Sequence, residues 1–167
     1  VRIPVGGWPT GLALTVDQST LLVTQTARDS LGFVSLEEGR LTDAIHVGDE
    51  PTGILVTDTT AWIALSGANQ VAQVDLDTRT VVQTLDVGRE PRAMVLDAER
   101  NRLYVASLIS SNEHPRGPIQ GADEELPLLA TRDIAIIDTA AGEVVDFVPH
   151  VGTILRGLWL SADGDTL

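Results

Sequence analysis

Apolar and polar positions alternate over short runs along this chain, and each run ends in residues that favour turns. The first quarter holds four such runs, Leu12–Val16, Leu21–Thr24, Phe33–Leu36 and Ala44–Val47. Asp17-Gln18-Ser19 and Glu37-Glu38-Gly39 separate members of the set. The next quarter repeats the arrangement as Ile54–Thr57, Trp62–Leu65, Val71–Leu76 and Val81–Val87, with Asp77-Thr78-Arg79 as a turn. A third set reads Ala93–Leu96, Leu103–Ala106, Ile134–Ile137 and Val144–Val148, and a further run begins at Leu158–Leu160. A period of two with β-branched residues predicts half-buried strands, and no stretch keeps a helical period over a dozen residues. The pattern predicts an all-β chain.

The sets are copies of one unit. Val-Gly recurs as Val5-Gly6, Val47-Gly48, Val87-Gly88 and Val151-Gly152, at spacings of 42, 40 and 64 residues. A connection follows each pair: Gly7-Trp8-Pro9-Thr10-Gly11, Asp49-Glu50-Pro51-Thr52-Gly53, Arg89-Glu90-Pro91-Arg92-Ala93 and Thr153-Ile154-Leu155-Arg156-Gly157. Four strands in about 40 residues, repeated in register, describe the blade of a β-propeller. A helical solenoid needs a 3.6-residue period, and a β-helix repeats at about half this length or less. The expected blades are residues 7–48, 49–88 and 89–152, with partial blades at 1–6 and 153–167, all parts of one propeller domain. Three full blades and two partial ones do not close a ring, which takes at least about four. The sequence is therefore expected to be part of a larger propeller whose remaining blades complete the domain.

The third unit is long because of an insertion, residues 108–132, between its second and third strands. It contains Pro115, Gly117, Pro118, Gly121 and Pro127 and the acidic run Asp123-Glu124-Glu125. Loops of this length in compact domains are usually functional or disordered. Second-to-third-strand loops share a rim with the Val-Gly-x-x-Pro connections in this architecture, so the insertion is expected to arch over the ligand-bearing face.

Composition narrows the chemistry. Net charge is −13, from 24 acidic and 11 basic residues, which disfavours nucleic acid and anionic membranes as partners. Every basic residue is arginine, so these 167 residues offer no lysine for a Schiff base or a phosphate loop. Cysteine is also absent, which removes thiol nucleophiles, disulfides and covalent haem attachment from the segment. No apolar run approaches the ~20 residues that span a bilayer, so no membrane insertion is expected. The start, Val1-Arg2-Ile3-Pro4, has no signal-peptide pattern.

Candidate site residues lie on the rim. Arg92 and Arg156 share a repeat position at the start of the innermost strand, where two guanidiniums could clamp a carboxylate or phosphate. The alternative is that they pair with Glu90, Glu50 or loop acids. Trp8 stands where the other units carry Glu50 and Glu90, as a binding anchor or as packing for a neighbouring blade. His114 and Arg116 belong to the insertion, near Asp123, Glu124 and Glu125, and match no known metal spacing. His46, Asp86 and His150 recur one residue before Val-Gly on the outermost strand, and positions that splay outward do not converge on an ion. Asp75 and Asp138 end third strands and read as turn caps. No catalytic or metal site is expected from the motifs: Gly-x-Ser-x-Gly, His-Glu-x-x-His and the dinucleotide glycine fingerprint are missing.

The repeat resembles the YVTN-type β-propeller family of exported bacterial and archaeal proteins. Asp86–Ala93, Leu103-Tyr104-Val105-Ala106-Ser107, Asn69–Asp75 and Ile134–Thr139 carry the resemblance. Leu155 for the turn proline and Trp62-Ile63-Ala64-Leu65 for the second strand depart from it. The resemblance implies a propeller, commonly of seven blades, that often works outside the cytoplasm as a periplasmic or cell-surface binding module or beside cytochrome-like domains. It carries no universal catalytic motif. The leading expectation is a non-catalytic module that binds a protein or a small anionic ligand on the loop rim, with no cofactor in this segment. The alternative is a propeller attached to a periplasmic redox enzyme or electron-transfer protein, with haem, quinone or copper elsewhere in the whole protein.

Overall fold

The structure, a computed structural model, describes residues 2–109, 134–148, 151 and 157–167. Twelve strands form among the described residues: β1 (Pro9–Leu14), β2 (Thr20–Gln25), β3 (Ser30–Ser35), β4 (Arg40–His46), β5 (Pro51–Thr57), β6 (Thr60–Leu65), β7 (Gln70–Asp75), β8 (Thr80–Asp86), β9 (Arg89–Asp97), β10 (Arg102–Ile109), β11 (Ile134–Asp138) and β12 (Glu143–Val148). They make three four-stranded sheets, β1-β2-β3-β4, β5-β6-β7-β8 and β9-β10-β11-β12, each strand beside its neighbour in sequence. This is the all-β, blade-by-blade architecture that the pattern predicts. Contacts divide the chain into two compact units, Val1–Thr84 and Leu85–Leu167.

In the first unit the core is built by the two-residue period. Leu22 of β2, Leu31 and Phe33 of β3, Ile63 and Leu65 of β6, and Ala72 and Val74 of β7 are buried in one cluster, with Ile54 and Val56 of β5 packed on it. Full burial of such a side chain contributes about 1.5–3 kcal/mol, so this interface between the first two sheets dominates the unit's stability. Leu12 and Leu14 take the places of Ile54 and Val56 on β1, yet they are 63% and 46% exposed. That face of β1 has no neighbouring sheet among the described residues.

The sheets meet closely at β1 and β5. A Cβ on Gly11 would lie 2.2 Å from the Thr52 carbonyl oxygen, so only glycine permits this approach. Thr24 Oγ1 bridges the gap: it accepts from the Gly11 N–H at 2.7 Å and donates to the Thr52 carbonyl at 2.7 Å. Thr26 Oγ1 donates to the Pro51 carbonyl at 2.8 Å beside it.

Strand limits differ from the expectation at the rim. The innermost strands start at Pro9, Pro51 and Arg89, three or four residues before the apolar runs, because pairing resumes beyond a bulge. β10 continues through Leu108 and Ile109, the first two residues of the insertion; residues 110–133 lie outside the described residues.

In the second unit, Leu103, Val105, Ile134 and Ile137 are among the buried positions of the β9–β12 sheet. The run at Leu158–Leu160 is not paired into a sheet among the described residues, which corrects that strand. The turn after it has formed all the same. Ser161 N–H donates to the Thr166 carbonyl at 2.9 Å, and Asp165 N–H donates to Asp163 Oδ1 at 3.1 Å. The turn after β1 makes the same two bonds: Thr15 N–H to the Thr20 carbonyl at 3.0 Å and Ser19 N–H to Asp17 Oδ1 at 3.1 Å.

Candidate functional site

The rim of the first unit has a constant backbone and variable side chains. Trp8, Glu50 and, in the second unit, Glu90 each precede the repeat proline with φ of 50–52°. A 3-10 turn at Thr26–Arg28 joins β2 to β3 and locks onto the first connection: Thr26 N–H donates to the Trp8 carbonyl at 3.1 Å and Ala27 N–H to the Gly7 carbonyl at 3.0 Å. Ser66 N–H donates to the Glu50 carbonyl at 3.0 Å in the next blade. Second-to-third-strand loops therefore do share a rim with the Val-Gly-x-x-Pro connections. Main-chain bonds hold the loop while the side chain after Gly7 or Asp49 is left to vary.

Trp8 uses that freedom. Its side chain is 77% exposed, the largest value among the exposed large hydrophobic residues described. Arg92 is exposed and its Nη2 lies 3.3 Å from Glu90 Oε2, an ion pair in solvent. The threonines at its repeat position act within the scaffold: Thr10 Oγ1 lies 2.7 Å from Thr26 Oγ1, and Thr52 Oγ1 lies 2.9 Å from Ser66 Oγ. Arg92 replaces that bridge with a charge. Arg156, His114 and Arg116 fall outside the described residues, as do His150, Asp123, Glu124 and Glu125. His46 and Asp86 are exposed at the ends of β4 and β8, each the outermost strand of its own sheet. Among the described residues no three His, Asp or Glu side chains group as metal ligands.

The perturbed carboxylates belong to turns and latches. Thr15 Oγ1 and the Ser19 N–H and hydroxyl hold Asp17 below its ordinary value. The Thr78 N–H and hydroxyl do the same for Asp75, and the Ala141 N–H with Arg102 for Asp138. Hydrogen bonds to the charged form explain the direction in each case.

Two clusters escaped the linear pattern because their members are far apart in sequence. Arg79 Nη1 meets Asp43 Oδ2 at 2.6 Å across the first two sheets, and its guanidinium carbon lies 4.7 Å from the centre of the Phe33 ring. In the second unit, a cleft of 250 Å³ opens between the turn at Asp97–Arg100 and residues 160–164. Arg100 spans it, 2.8 Å from Asp97 Oδ2 and 3.0 Å from Asp165 Oδ1. Its charge is balanced by these acids, so it reads as a latch between two turns.

No family model matches the chain. It is 28% identical over 154 residues to a seven-bladed β-propeller protein of Mycobacterium tuberculosis, covering 89% of this chain and 34% of that protein. Its structure resembles a chain of hydrazine synthase from Kuenenia stuttgartiensis with a TM-score of 0.76 at 19% identity, over 98% of this chain and 42% of that one. A functionally unknown protein from Desulfotomaculum acetoxidans gives a TM-score of 0.68 at 17% identity, over 93% of this chain and 46% of that one. U3-55K gives 0.63 at 12% identity, over 84% and 38%. The chain thus spans about a third to a half of the proteins it matches. With three antiparallel four-stranded sheets in sequential order and these likenesses, the fold is that of a β-propeller.

Proposed function

We propose that this chain is part of an exported propeller of the YVTN-repeat type, periplasmic or at the cell surface, that binds a protein partner on its loop rim without catalysing a reaction. Trp8 carries the reading. An indole 77% exposed, on a loop whose backbone is fixed by hydrogen bonds, is a preorganised apolar anchor in an otherwise acidic chain. In the second unit Arg92 is paired with Glu90, which makes small anions the lesser ligand class, because Glu90 already competes for its guanidinium. Arg156, His114 and Arg116 are further residues proposed to bind.

The test places a photo-crosslinking amino acid at position 8 of the intact protein in its own cells, with the same residue at exposed Glu37 as reference. A partner adduct specific to position 8 is expected, and Trp8→Ala should weaken binding of the purified partner at least about tenfold. Adducts equal at both positions would overturn the reading.

The likeness to a hydrazine synthase chain favours a second reading, a propeller serving a redox enzyme with haem, quinone or copper elsewhere in the whole protein. That likeness is one of fold, and fold does not carry function. A visible absorption spectrum of the intact protein separates the two: a chromophore band supports the second reading, and a spectrum with only aromatic absorption supports the first.

A further inference from the structure

Beside the Trp8 connection stands a cation that the turn itself does not require. Arg28 closes the 3-10 turn Thr26–Arg28, which is bonded to that connection through Thr26 N–H to the Trp8 carbonyl and Ala27 N–H to the Gly7 carbonyl. The second blade builds the corresponding turn with the same bond, Ser66 N–H to the Glu50 carbonyl, and Asn69 has a φ of 60° where Asp29 has 52°. Ala68 stands there in the place of Arg28. The backbone thus accepts glutamate and alanine where the first blade carries tryptophan and arginine.

The Arg28 side chain lies along two glycines. A methyl added to Gly7 would stand 3.0 Å from its Cγ and Cδ, and one added to Gly6 would stand 3.1 Å from its guanidinium carbon. The guanidinium is therefore seated against the residues that lead into Trp8, and Arg28 is exposed. Its neighbour Asp29 is engaged elsewhere, with Oδ1 accepting the Glu50 N–H at 3.1 Å. Arg40, Arg79, Arg92, Arg100 and Arg102 each have a carboxylate within 3.3 Å. Arg28 forms no ion pair among the described residues, in a chain with 24 acids. Its donor fork is left for a carboxylate from another molecule.

We propose that Arg28 acts with Trp8 to recognise an acidic peptide segment of a protein partner, an Asp or Glu close to a large apolar side chain. The inference rests on the reading of the rim as a protein-binding surface, and adds to it a residue and a partner chemistry. A guanidinium takes both oxygens of a carboxylate in a planar fork, and an exposed indole covers the apolar group beside it. Main-chain bonds fix the loop under both side chains, which lowers the ordering cost of binding. Net charge favours one acidic contact over a polyanion: −13 opposes a phosphate-dense ligand, while charges beyond about 8 Å are screened at physiological salt.

A displayed library of random peptides, selected on the intact protein, is the test. Selected peptides should carry Asp or Glu near a large apolar residue, and changing that acid to its amide should weaken binding at least about tenfold. Arg28→Gln should cost a similar factor and flatten the salt dependence, and Arg28→Lys, which keeps the charge without the fork, should restore part of it. Trp8→Ala should weaken the same peptides. Should Arg28→Gln melt below the wild type, the acid-to-amide change in the peptide gives the same reading on unaltered protein. Peptides that lose binding to Trp8→Ala but not to Arg28→Gln would overturn this inference and leave the rim reading standing. Selected peptides without acids, peptides indifferent to both substitutions, or no selected peptide at all would also overturn it.

Discussion

Gly11→Ala puts the closest contact between the two sheets of the first unit under direct strain. The new methyl would sit 2.2 Å from the Thr52 carbonyl oxygen and 2.8 Å from Thr24 Oγ1, against a normal carbon–oxygen contact of about 3.2 Å. Relief requires β1 and β5 to part by about 1 Å, which stretches the bonds from Thr24 Oγ1 to Thr52 and from Thr26 Oγ1 to Pro51. Overpacking costs about 1–3 kcal/mol and each neutral hydrogen bond about 1 kcal/mol. Alanine recovers about 0.4–1 kcal/mol by restricting the unfolded chain. The net loss is about 3 kcal/mol, a fall in Tm of about 6–12 °C for a domain of this size. Gly157→Ala is the control, because nothing among the described residues lies within 4 Å of its added methyl. Urea unfolding of the intact protein followed by tryptophan fluorescence should separate the two variants. A Gly11→Ala loss below about 1 kcal/mol would refute the claim that close approach, and not chance, places glycine there.

Acid should destabilise the fold through its turns. Asp17, Asp43, Asp75, Asp97, Asp138 and Asp163 are all held below their ordinary value of 3.8 in the folded state. A depressed folded pKa gives stability that is complete above the unfolded value and is lost as pH falls from there through the folded one. The urea midpoint should therefore hold from pH 7 to about 5 and drop between about 4 and 2; a flat profile over the lower range would contradict the assignment. Arg79 has a φ of 54°, where the other two blades carry Gly39 and Gly142. Arg79→Gly relieves that backbone but loses Asp43 and the Phe33 ring, so Arg79→Ala, which only loses, should be less stable than Arg79→Gly by about 1 kcal/mol. Equal melting curves would argue against it. Ser107 Oγ is buried without a hydrogen-bond partner among the described residues, so Ser107→Ala should raise stability by about 1 kcal/mol in the same assay.

The strand order was legible in the chain because a two-residue period and a repeated Val-Gly-x-x-Pro connection constrain local structure and topology together. Asp75 and Asp138 could be read as turn caps for the same reason: their partners, Thr78, Ala140 and Ala141, lie within three residues. The strand starts at Pro9, Pro51 and Arg89 were not legible, since the rim residues pair across a bulge that no apolar period marks. Trp8 could be named from sequence as either an anchor or packing for a neighbouring blade; the structure adds that no described residue covers the indole, which is 77% exposed. Arg92 likewise had several acids within reach, and the fold chose Glu90. The latches Arg79–Asp43 and Arg100–Asp165 join residues 36 and 65 positions apart. Periodicity reports which face of a strand is buried. Which distant side chains then meet depends on how the sheets pack, and that is a property of the tertiary structure alone.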